Sequence, residues 1–275
     1  MRKSVLVLFV MACCLVLVAG NAIALDLGAN ITIWDGMGSD AEDNEVEPGC
    51  VQAQKWDLEA FFLNDTTLTM VGGFNFKEGE DDPWRWEDKK KNIRLHYDSG
   101  DIFIDVNGDA EYGSGNTGEG GGNEVVQYIF GYDYVLDLDF TDLTYTVYEL
   151  IKETSTVKVY FGQNDESNPW AYNDGGSPLG FDGDIDFYEN KAGLDSLDGI
   201  SLWNVQGTHY AAAVDLSFLS PGTEFTAHFT YGCGNDNLMG SGATPIPEPA
   251  TMLLLGTGLI GLACLGRKKF NKGTQ

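Results

Sequence analysis

Apolar and polar residues alternate in short runs through most of the chain, and this period-two pattern constrains the fold more than any other feature. Clusters of Gly, Asn, Asp and Ser divide the runs at intervals of about ten residues. No long segment repeats apolar residues at the helical period. We therefore predict an all-β fold, a single β-sandwich of the jelly-roll kind, with a barrel as the alternative. The predicted strands span residues 56–62, 68–76, 92–97, 101–106, 124–131, 133–139, 143–150, 156–161, 208–218 and 224–232.

The first two predicted strands form a hairpin. Even-numbered residues such as Leu58 and Phe62 make the apolar face of one strand, and Leu68 and Met70 continue an even face on the other. Two even faces meet only when the paired residue numbers have an even sum, which requires a loop of odd length such as residues 64–66.

The last two predicted strands form a second hairpin around residues 220–223. An even face meets an odd face here, which a pairing sum of 443 satisfies. This register places Asp215 opposite His228 on the polar side, while Leu216 and Ala227 face the core.

The N-terminus has the pattern of a secretory signal peptide. Arg2 and Lys3 precede an uncharged apolar run, and Ala22 and Ala24 supply the small-x-small pattern that signal peptidase reads. We predict that residues 1–24 are removed by cleavage after Ala24. The alternative is a retained anchor, but the run is shorter than a bilayer span requires.

A second uncharged run, residues 250–266, lies near the C-terminus and is just long enough for a transmembrane helix. Pro247, Glu248 and Pro249 precede it, and the two prolines prevent a helix from starting earlier. Arg267, Lys268 and Lys269 follow the run, and such positive residues hold that end of a transmembrane helix in the cytoplasm.

This order of Pro-Glu-Pro, apolar run and basic end resembles the PEP-CTERM sorting tail, which also bears the name ice-binding protein C-terminal domain. The resemblance implies that exosortase, a membrane transpeptidase-like protease, processes the tail after transient insertion in the inner membrane. It also implies a location on the outer cell surface or in an extracellular polysaccharide and biofilm matrix. We therefore divide the chain into a signal peptide at 1–24, a β-sandwich domain at 25–243 and a sorting tail at 244–275. Ice binding is not favoured, because the only Thr-rich run, residues 66–69, is short.

The segment between the two export signals is strongly acidic. Residues 25–249 hold 10 basic and 42 acidic side chains, a net charge of −32. Nucleic acid and anionic lipid headgroups are repelled by such a surface and are excluded as partners. Divalent cations are expected near it, since so many carboxylates repel one another.

Two cysteines, Cys50 and Cys233, lie in the predicted mature domain. Because an exported domain matures in an oxidising compartment, we predict a disulfide between them, with two separate buried thiols as the alternative. Their spacing and the three histidines of the chain do not match a zinc site.

Two acidic runs are candidates for calcium. Asp105, Asn107 and Asp109 place oxygen-bearing side chains at alternate positions after a strand, as in the start of a calcium loop. The run departs from the EF-hand pattern, since Ala110 stands where that loop needs Gly. A second run of the same alternation contains Asp182, Asp184 and Asp186. Ordinary acidic turns are the alternative in both cases, and we predict no other cofactor.

Aromatic residues offer a second type of candidate site. Trp84, Trp86 and Trp170 could stack on a sugar ring, although Trp more often buries its ring. The three histidines are isolated in sequence, and no nucleophile or phosphate-binding motif is present. We therefore expect a non-enzymatic exported surface or matrix protein, with a calcium-dependent carbohydrate-binding module as the alternative. A polysaccharide-processing enzyme is the third hypothesis.

Overall fold

The structure is a computed structural model and describes residues 27–33, 54–88, 93–110, 123–127, 130–189, 208–247 and 257–260. The strands are β1 (Ala29–Asn30), β2 (Leu58–Asn64), β3 (Thr67–Gly72), β4 (Glu80–Asp88), β5 (Ile93–Tyr97), β6 (Ile102–Asp105), β7 (Val125–Gln127), β8 (Tyr134–Asp139), β9 (Thr144–Glu149), β10 (Ser155–Val157), β11 (Ala171–Asp174), β12 (Ser177–Asp184), β13 (Asp186–Glu189), β14 (Tyr210–Asp215), β15 (Glu224–Thr230) and β16 (Asn237–Ala243). Short 3-10 turns occur at Gln54–Trp56 and Gly162–Ser167. Within these ranges, no helix has the length and apolar character that a membrane crossing requires.

All strand pairs in these ranges are antiparallel, which confirms the predicted all-β class. A five-stranded sheet has the order β1-β2-β3-β14-β13, and a six-stranded sheet has the order β12-β9-β8-β6-β15-β16. A three-stranded sheet, β11-β10-β7, and the β4-β5 hairpin complete the arrangement.

The two large sheets contribute to one hydrophobic core. From the five-stranded sheet come Leu58, Phe61, Leu68, Met70, Ala212 and Val214; from the six-stranded sheet come Ile102, Ile104, Leu136, Val147, Phe225, Ala227, Phe229 and Leu238. Stacked rings extend this core, since Phe74 lies 4.5 Å from Tyr231 between ring centres. Burying so many apolar side chains is the main force that holds two sheets together.

The two large sheets are also joined at both of their edges. On one side, β12 ends the six-stranded sheet and continues through the buried Ile185 into β13 of the five-stranded sheet. On the other side, Thr32 bridges to Gly240 of β16, directly after β1 has paired with β2. The backbone contacts between the segment after β1 and β16 close one pair of sheet edges, and the chain connection at Ile185 joins the other pair.

The outer face of the six-stranded sheet is partly covered by the three-stranded sheet. Phe103 and Val135 pack there with Tyr148, and Val126 and Tyr172 approach from the small sheet. The rings of Tyr148 and Tyr172 stack with their centres 4.7 Å apart. Beyond this covered patch, the same outer face carries polar residues.

The predicted register of the first hairpin is wrong. β2 and β3 pair Leu63 with Leu68 and Phe61 with Met70, so the sum of the numbers is odd. The loop has two residues, and Asp65 takes a positive φ of 53° that suits such a tight turn. A β-bulge between Leu58 and Ala60 compensates, because one extra residue moves the apolar face from even to odd numbers.

The predicted closing hairpin is also wrong. β14 pairs with β3 and β13, whereas β15 pairs with β6 and β16. The chain between β14 and β15 therefore crosses from one sheet to the other, and Asp215 and His228 belong to different sheets. The predicted faces are nevertheless right, since Phe225 and Ala227 are buried and Glu224 is exposed. Opposed apolar faces fit two packed sheets as well as they fit a hairpin.

Candidate functional site

A polar cleft of about 500 Å³ opens between the β8–β9 hairpin and the segments that link β3 to β4 and β5 to β6. Its walls combine carboxylates, hydroxyl groups and the edges of buried aromatic rings. The lining residues are Phe76, Lys77, Gly79, Asp98, Ser99, Asp137, Leu138, Asp139, Phe140, Thr141, Thr144, Tyr145 and Thr146. This volume lies within the range typical of small-molecule sites, about 300–1,000 Å³.

The strand register organises the polar wall of the cleft. Asp137 on β8 lies directly opposite Thr146 on β9, and Asp139 lies opposite Thr144. Since alternate residues of a strand share a face, the two carboxylates and two hydroxyl groups lie on one side of the sheet. Leu138 and Tyr145 point to the other side, where they pack against the core.

Burial and mutual repulsion perturb the acids behind this wall. Burial raises the pKa of Asp137, and the neighbouring Asp139 raises it further. Asp101 lies deeper, and its burial, together with the charge of Asp137, raises its pKa to about 8. Its carboxylate accepts hydrogen bonds from the backbone N–H groups of Leu138 and Tyr172, so it ties three segments together.

His96 on β5 lies beside the rim of the cleft. Its Nδ1 is 2.9 Å from a carboxylate oxygen of Asp81, and its Nε2 is 3.3 Å from one of Asp98. The hydrogen bond to Asp81 is the main reason that the pKa of His96 is raised. Gly79 lets the His96 ring lie close to the backbone, since a Cβ at position 79 would lie 2.7 Å from that ring.

A second group of titratable residues is buried at the start of β2. Glu59 and His209 approach to 3.0 Å, and their side chains are 1% and 3% exposed. Asp57 is buried close by, and burial followed by the charge of Glu59 raises its pKa to about 8, while His209 opposes the shift. Because water does not reach these side chains, the group suits a structural role better than contact with a substrate.

The first predicted calcium run forms a compact turn after β6. One oxygen of Asp105 accepts hydrogen bonds from the N–H groups of Asn107 and Gly108, and the other accepts one from Ala110. The side-chain oxygen of Asn107 accepts the N–H of Asp109, and its amide donates to Asp133. These oxygens therefore cap the turn, which is the usual role of Asp and Asn in such positions.

The second predicted calcium run is divided between sheets. Asp182 and Asp184 lie on β12, Asp186 begins β13, and all three are exposed. Among the described residues, no group of three His, Cys, Asp or Glu side chains is arranged to hold a metal ion. Calcium binding stays a prediction, which comparison of melting temperatures in calcium and in chelator would test.

The predicted sugar-stacking residues lie on different elements of the fold. Trp84 and Trp86 lie on β4, whereas Trp170 precedes β11. Trp170 is half-buried, its ring lies against Gly232, and its carbonyl accepts the N–H of Asp101. At Trp170, the structure shows a packing role.

Cys233 is buried in the turn between β15 and β16. Asn164 donates a hydrogen bond to its carbonyl, and Ser167 donates one to the carbonyl of Gly234. No disulfide is present among the described residues, and Cys50 lies outside them. The Cys50–Cys233 bond therefore stays a prediction.

Most residues of the predicted export signals lie outside the described part of the chain. This applies to Ala22, Ala24, Glu248, Pro249, Arg267, Lys268 and Lys269, whereas Pro247 is described and exposed. The predicted signal-peptide cleavage, the three domain boundaries and the span at 250–266 stay predictions.

Sequence reasoning did not identify the cleft. The alternation of Asp137 and Asp139 with leucines, and of Thr144 and Thr146 with core residues, was a usable signal for a polar outer face. Asp98 had no such signal, because it reaches the cleft only through the long-range pairing of β6 with β8. His209 was likewise isolated in sequence and gains Glu59 only in the fold.

Comparison with curated proteins found no match, and comparison with solved structures found none either. One family model matches the C-terminal part of the chain, at residues 245–268. That match includes Pro247, Glu248 and Pro249, the apolar run, and the basic residues Arg267 and Lys268. It confirms the resemblance identified from the sequence, and it implies export, a transient membrane-anchored state and exosortase as the processing partner. The chain thus carries a PEP-CTERM protein-sorting motif at residues 245–268, the signal of an exported protein that exosortase sorts.

Proposed function

We propose that the exported domain is a non-enzymatic component of the outer cell surface or of the secreted polysaccharide matrix. The observation that carries this proposal is the sorting motif at residues 245–268, which directs the attached domain out of the cell. A net charge of −32 over residues 25–249 keeps such a domain soluble and discourages collapse onto anionic surfaces.

The placement of the two acids with the largest pKa shifts supports a role without catalysis. Catalytic acids need a shifted pKa and access to a substrate. Asp57 and Asp101 have the required shift, but both are buried, and Asp101 is engaged with backbone amides. Their chemistry therefore serves the fold.

We also infer that the two large sheets form the β-sandwich that the strand pattern predicts. The core shared by β2, β3 and β14 with β6, β8 and β15 supports this arrangement. The joined edges at Ile185 and at Thr32 support it further, because they hold the sheets face to face.

Fractionation of the native host tests the proposed location. We expect the wild-type protein in the surface or matrix fraction, starting at Leu25 and lacking residues 267–275 by mass spectrometry. Replacing Pro247, Glu248 and Pro249 with Ala should retain a longer form in the inner membrane, whereas Ser241→Ala, just outside the motif, should behave as wild type. A matrix fraction that contains the triple variant at wild-type level and length would contradict the proposal.

A second measurement tests the absence of catalysis. Purified secreted protein is incubated with the matrix polysaccharide of the producing host, and the size distribution of the polymer is followed over time. An unchanged distribution is the expected result. Release of short oligosaccharides would support the polysaccharide-processing hypothesis instead.

A further inference from the structure

We propose that the cleft beside β8 and β9 binds a cationic, amine-bearing sugar chain of the glucosamine type. The ligand's ammonium groups would pair with Asp137 and Asp139, and its hydroxyl groups would bond to Thr144 and Thr146. This goes beyond the proposed location, which the sorting tail supports independently of what the cleft holds.

The arrangement of the wall matches a polyhydroxylated cation. Each aspartate is paired in register with a threonine, at Asp137–Thr146 and again at Asp139–Thr144. Two positions along a strand separate the pairs by about 7 Å. A ligand that lies along β8 would therefore meet one carboxylate and one threonine hydroxyl, and then a second such pair.

The charges around the cleft favour a positively charged ligand. Three acidic residues, Asp98, Asp137 and Asp139, line the cleft, against one lysine, Lys77, and against His96, which lies at the rim 3.3 Å from Asp98. Asp137 is only partly exposed, and burial and Asp139 together raise its pKa, so a bound cation would relieve their repulsion. Anionic polysaccharides are repelled both here and by the surrounding acidic domain.

The size of the cleft and the rigidity of its lining suit a short stretch of sugar chain. A volume of about 500 Å³ exceeds what a single ion fills and lies within the range of small-molecule sites. Phe76, Phe140 and Tyr145 also line the cleft and are anchored in the hydrophobic core, so they hold its wall rigidly. Tyr145 is fixed in addition by hydrogen bonds between its hydroxyl and the backbone of Asp215 on the opposite sheet. A preformed site of this kind loses little entropy on binding.

The test is calorimetric titration of protein purified from the secreted fraction, in buffer that contains a chelator. The probes are a glucosamine trimer, its fully N-acetylated counterpart and trilysine. We expect the glucosamine trimer to bind and the acetylated trimer not to bind, with trilysine at least tenfold weaker than the glucosamine trimer. Equal binding of both sugar trimers would overturn the ionic part of the proposal, and equal binding of trilysine would reduce it to non-specific charge attraction.

Variants separate the cleft from the overall charge. Asp137→Asn with Asp139→Asn should weaken binding of the glucosamine trimer at least tenfold. Asp65→Asn with Glu153→Gln removes the same charge from exposed positions outside the cleft and should change affinity less than twofold. An equal loss in both pairs would overturn the proposal.

A third variant protects the test against unfolding of the double Asp variant. Thr146→Val keeps every charge and should weaken binding threefold to tenfold through loss of the hydroxyl. Melting curves check that each variant is folded. Wild-type affinity in a folded Thr146→Val variant would show that the hydroxyl pairs play no part. The fractionation experiment is unaffected by any of these outcomes, so failure here leaves the proposed location standing.

Discussion

Buried titratable residues include those with the most strongly shifted pKa values in the described part of this protein. Asp101 is fully engaged between β8 and β11, and His228 lies in the core of the six-stranded sheet, stacked on Tyr132 with ring centres 5.6 Å apart. The Nε2 of His228 lies 3.0 Å from the carbonyl oxygen of Pro169. Each group is forced toward its neutral form because burial penalises the charged form. Folding stability must therefore depend on pH in two opposite directions.

Asp101 accounts for part of the expected loss of folding stability as the pH rises. Its pKa is about 8 in the folded protein against an ordinary value of 3.8, so the folded state holds a proton that the unfolded chain releases. Its contribution to stability is full below pH 4 and is lost as pH rises through about 8, with a slope of at most about 1.4 kcal/mol per pH unit. Asp57 acts in the same direction. Urea unfolding between pH 5 and pH 8 should show a shallower loss in Asp101→Asn than in wild type, and identical slopes would contradict this assignment.

His228 determines part of the acidic behaviour. Burial lowers its pKa from 6.5 to about 4, so the unfolded chain takes up a proton first, and stability is lost as pH falls from 6.5 through 4. The wild-type protein should lose roughly 2 kcal/mol from this group between pH 7 and pH 5. His228→Phe should remove that acid-dependent loss, while costing about 1–3 kcal/mol at every pH because the Pro169 carbonyl loses its donor. Urea unfolding at the two pH values measures both effects; an unaltered difference between them would exclude His228 as the cause.

At the scale of the strands, local irregularities decide which face is buried. The bulge in β2 lets Phe61 enter the core while Ala60 and Phe62 pack on the other side of the sheet. β16 shows a different adaptation, because Gly240 and Gly242 leave room for Phe61 and Leu63 of the opposite sheet. Glycines weaken a strand prediction, which is why β16 was missing from the predicted strands.

Substitution in β16 tests this close packing. A Cβ at Gly240 would lie 3.0 Å from the Phe61 side chain and 3.3 Å from that of Ile31, so Gly240→Ala should destabilise the protein by about 1–3 kcal/mol. Ser241→Ala changes the adjacent, exposed position and should shift stability by less than about 0.5 kcal/mol. Thermal unfolding compares the two variants. Equal melting temperatures for both would mean that the sheets can separate at β16 without cost.

At the scale of the whole molecule, the fold brings distant segments together. The turn after β15 contacts the segment before β11 through Asn164 and Ser167, and Asp236 accepts the N–H of Leu58 from the far end of the chain. These contacts place Cys233 in a region that the rest of the fold already holds. A bond from Cys233 to Cys50 would add a covalent link to that region.

The predicted disulfide can be tested on the secreted protein. Closing so long a loop would stabilise the fold by about 5 kcal/mol in the chain-entropy model, an upper figure because native strain is ignored. Thiol titration of the unfolded secreted form, from which processing has removed Cys13, Cys14 and Cys264, should find no thiol without reductant in wild type and one in Cys233→Ser. Two thiols in wild type would rule the bond out. Reductant should also lower the melting temperature of wild type and leave that of Cys233→Ser unchanged.

The sequence by itself determined the features that depend on local pattern. Alternation revealed the β class and the buried faces of β14 and β15, because a strand has a period of two whatever it pairs with. The sorting motif was equally local, since a contiguous stretch carries the entire signal, and its family match confirmed it. The partners of each strand could not be predicted in this way. Two opposed apolar faces fit a hairpin or two packed sheets, and a bulge or a two-residue turn reverses the expected register.

Only the tertiary structure decided what lies beside what. Asp98 meets Asp137 and Asp139 across a cleft, and His209 meets Glu59, because strands far apart in the chain pack together. The perturbed pKa of Asp101 likewise arises from burial, which no single segment possesses before folding. The local sequence determines the sorting motif and the strand pattern of this protein, whereas long-range packing creates the cleft in which we propose that it binds a ligand.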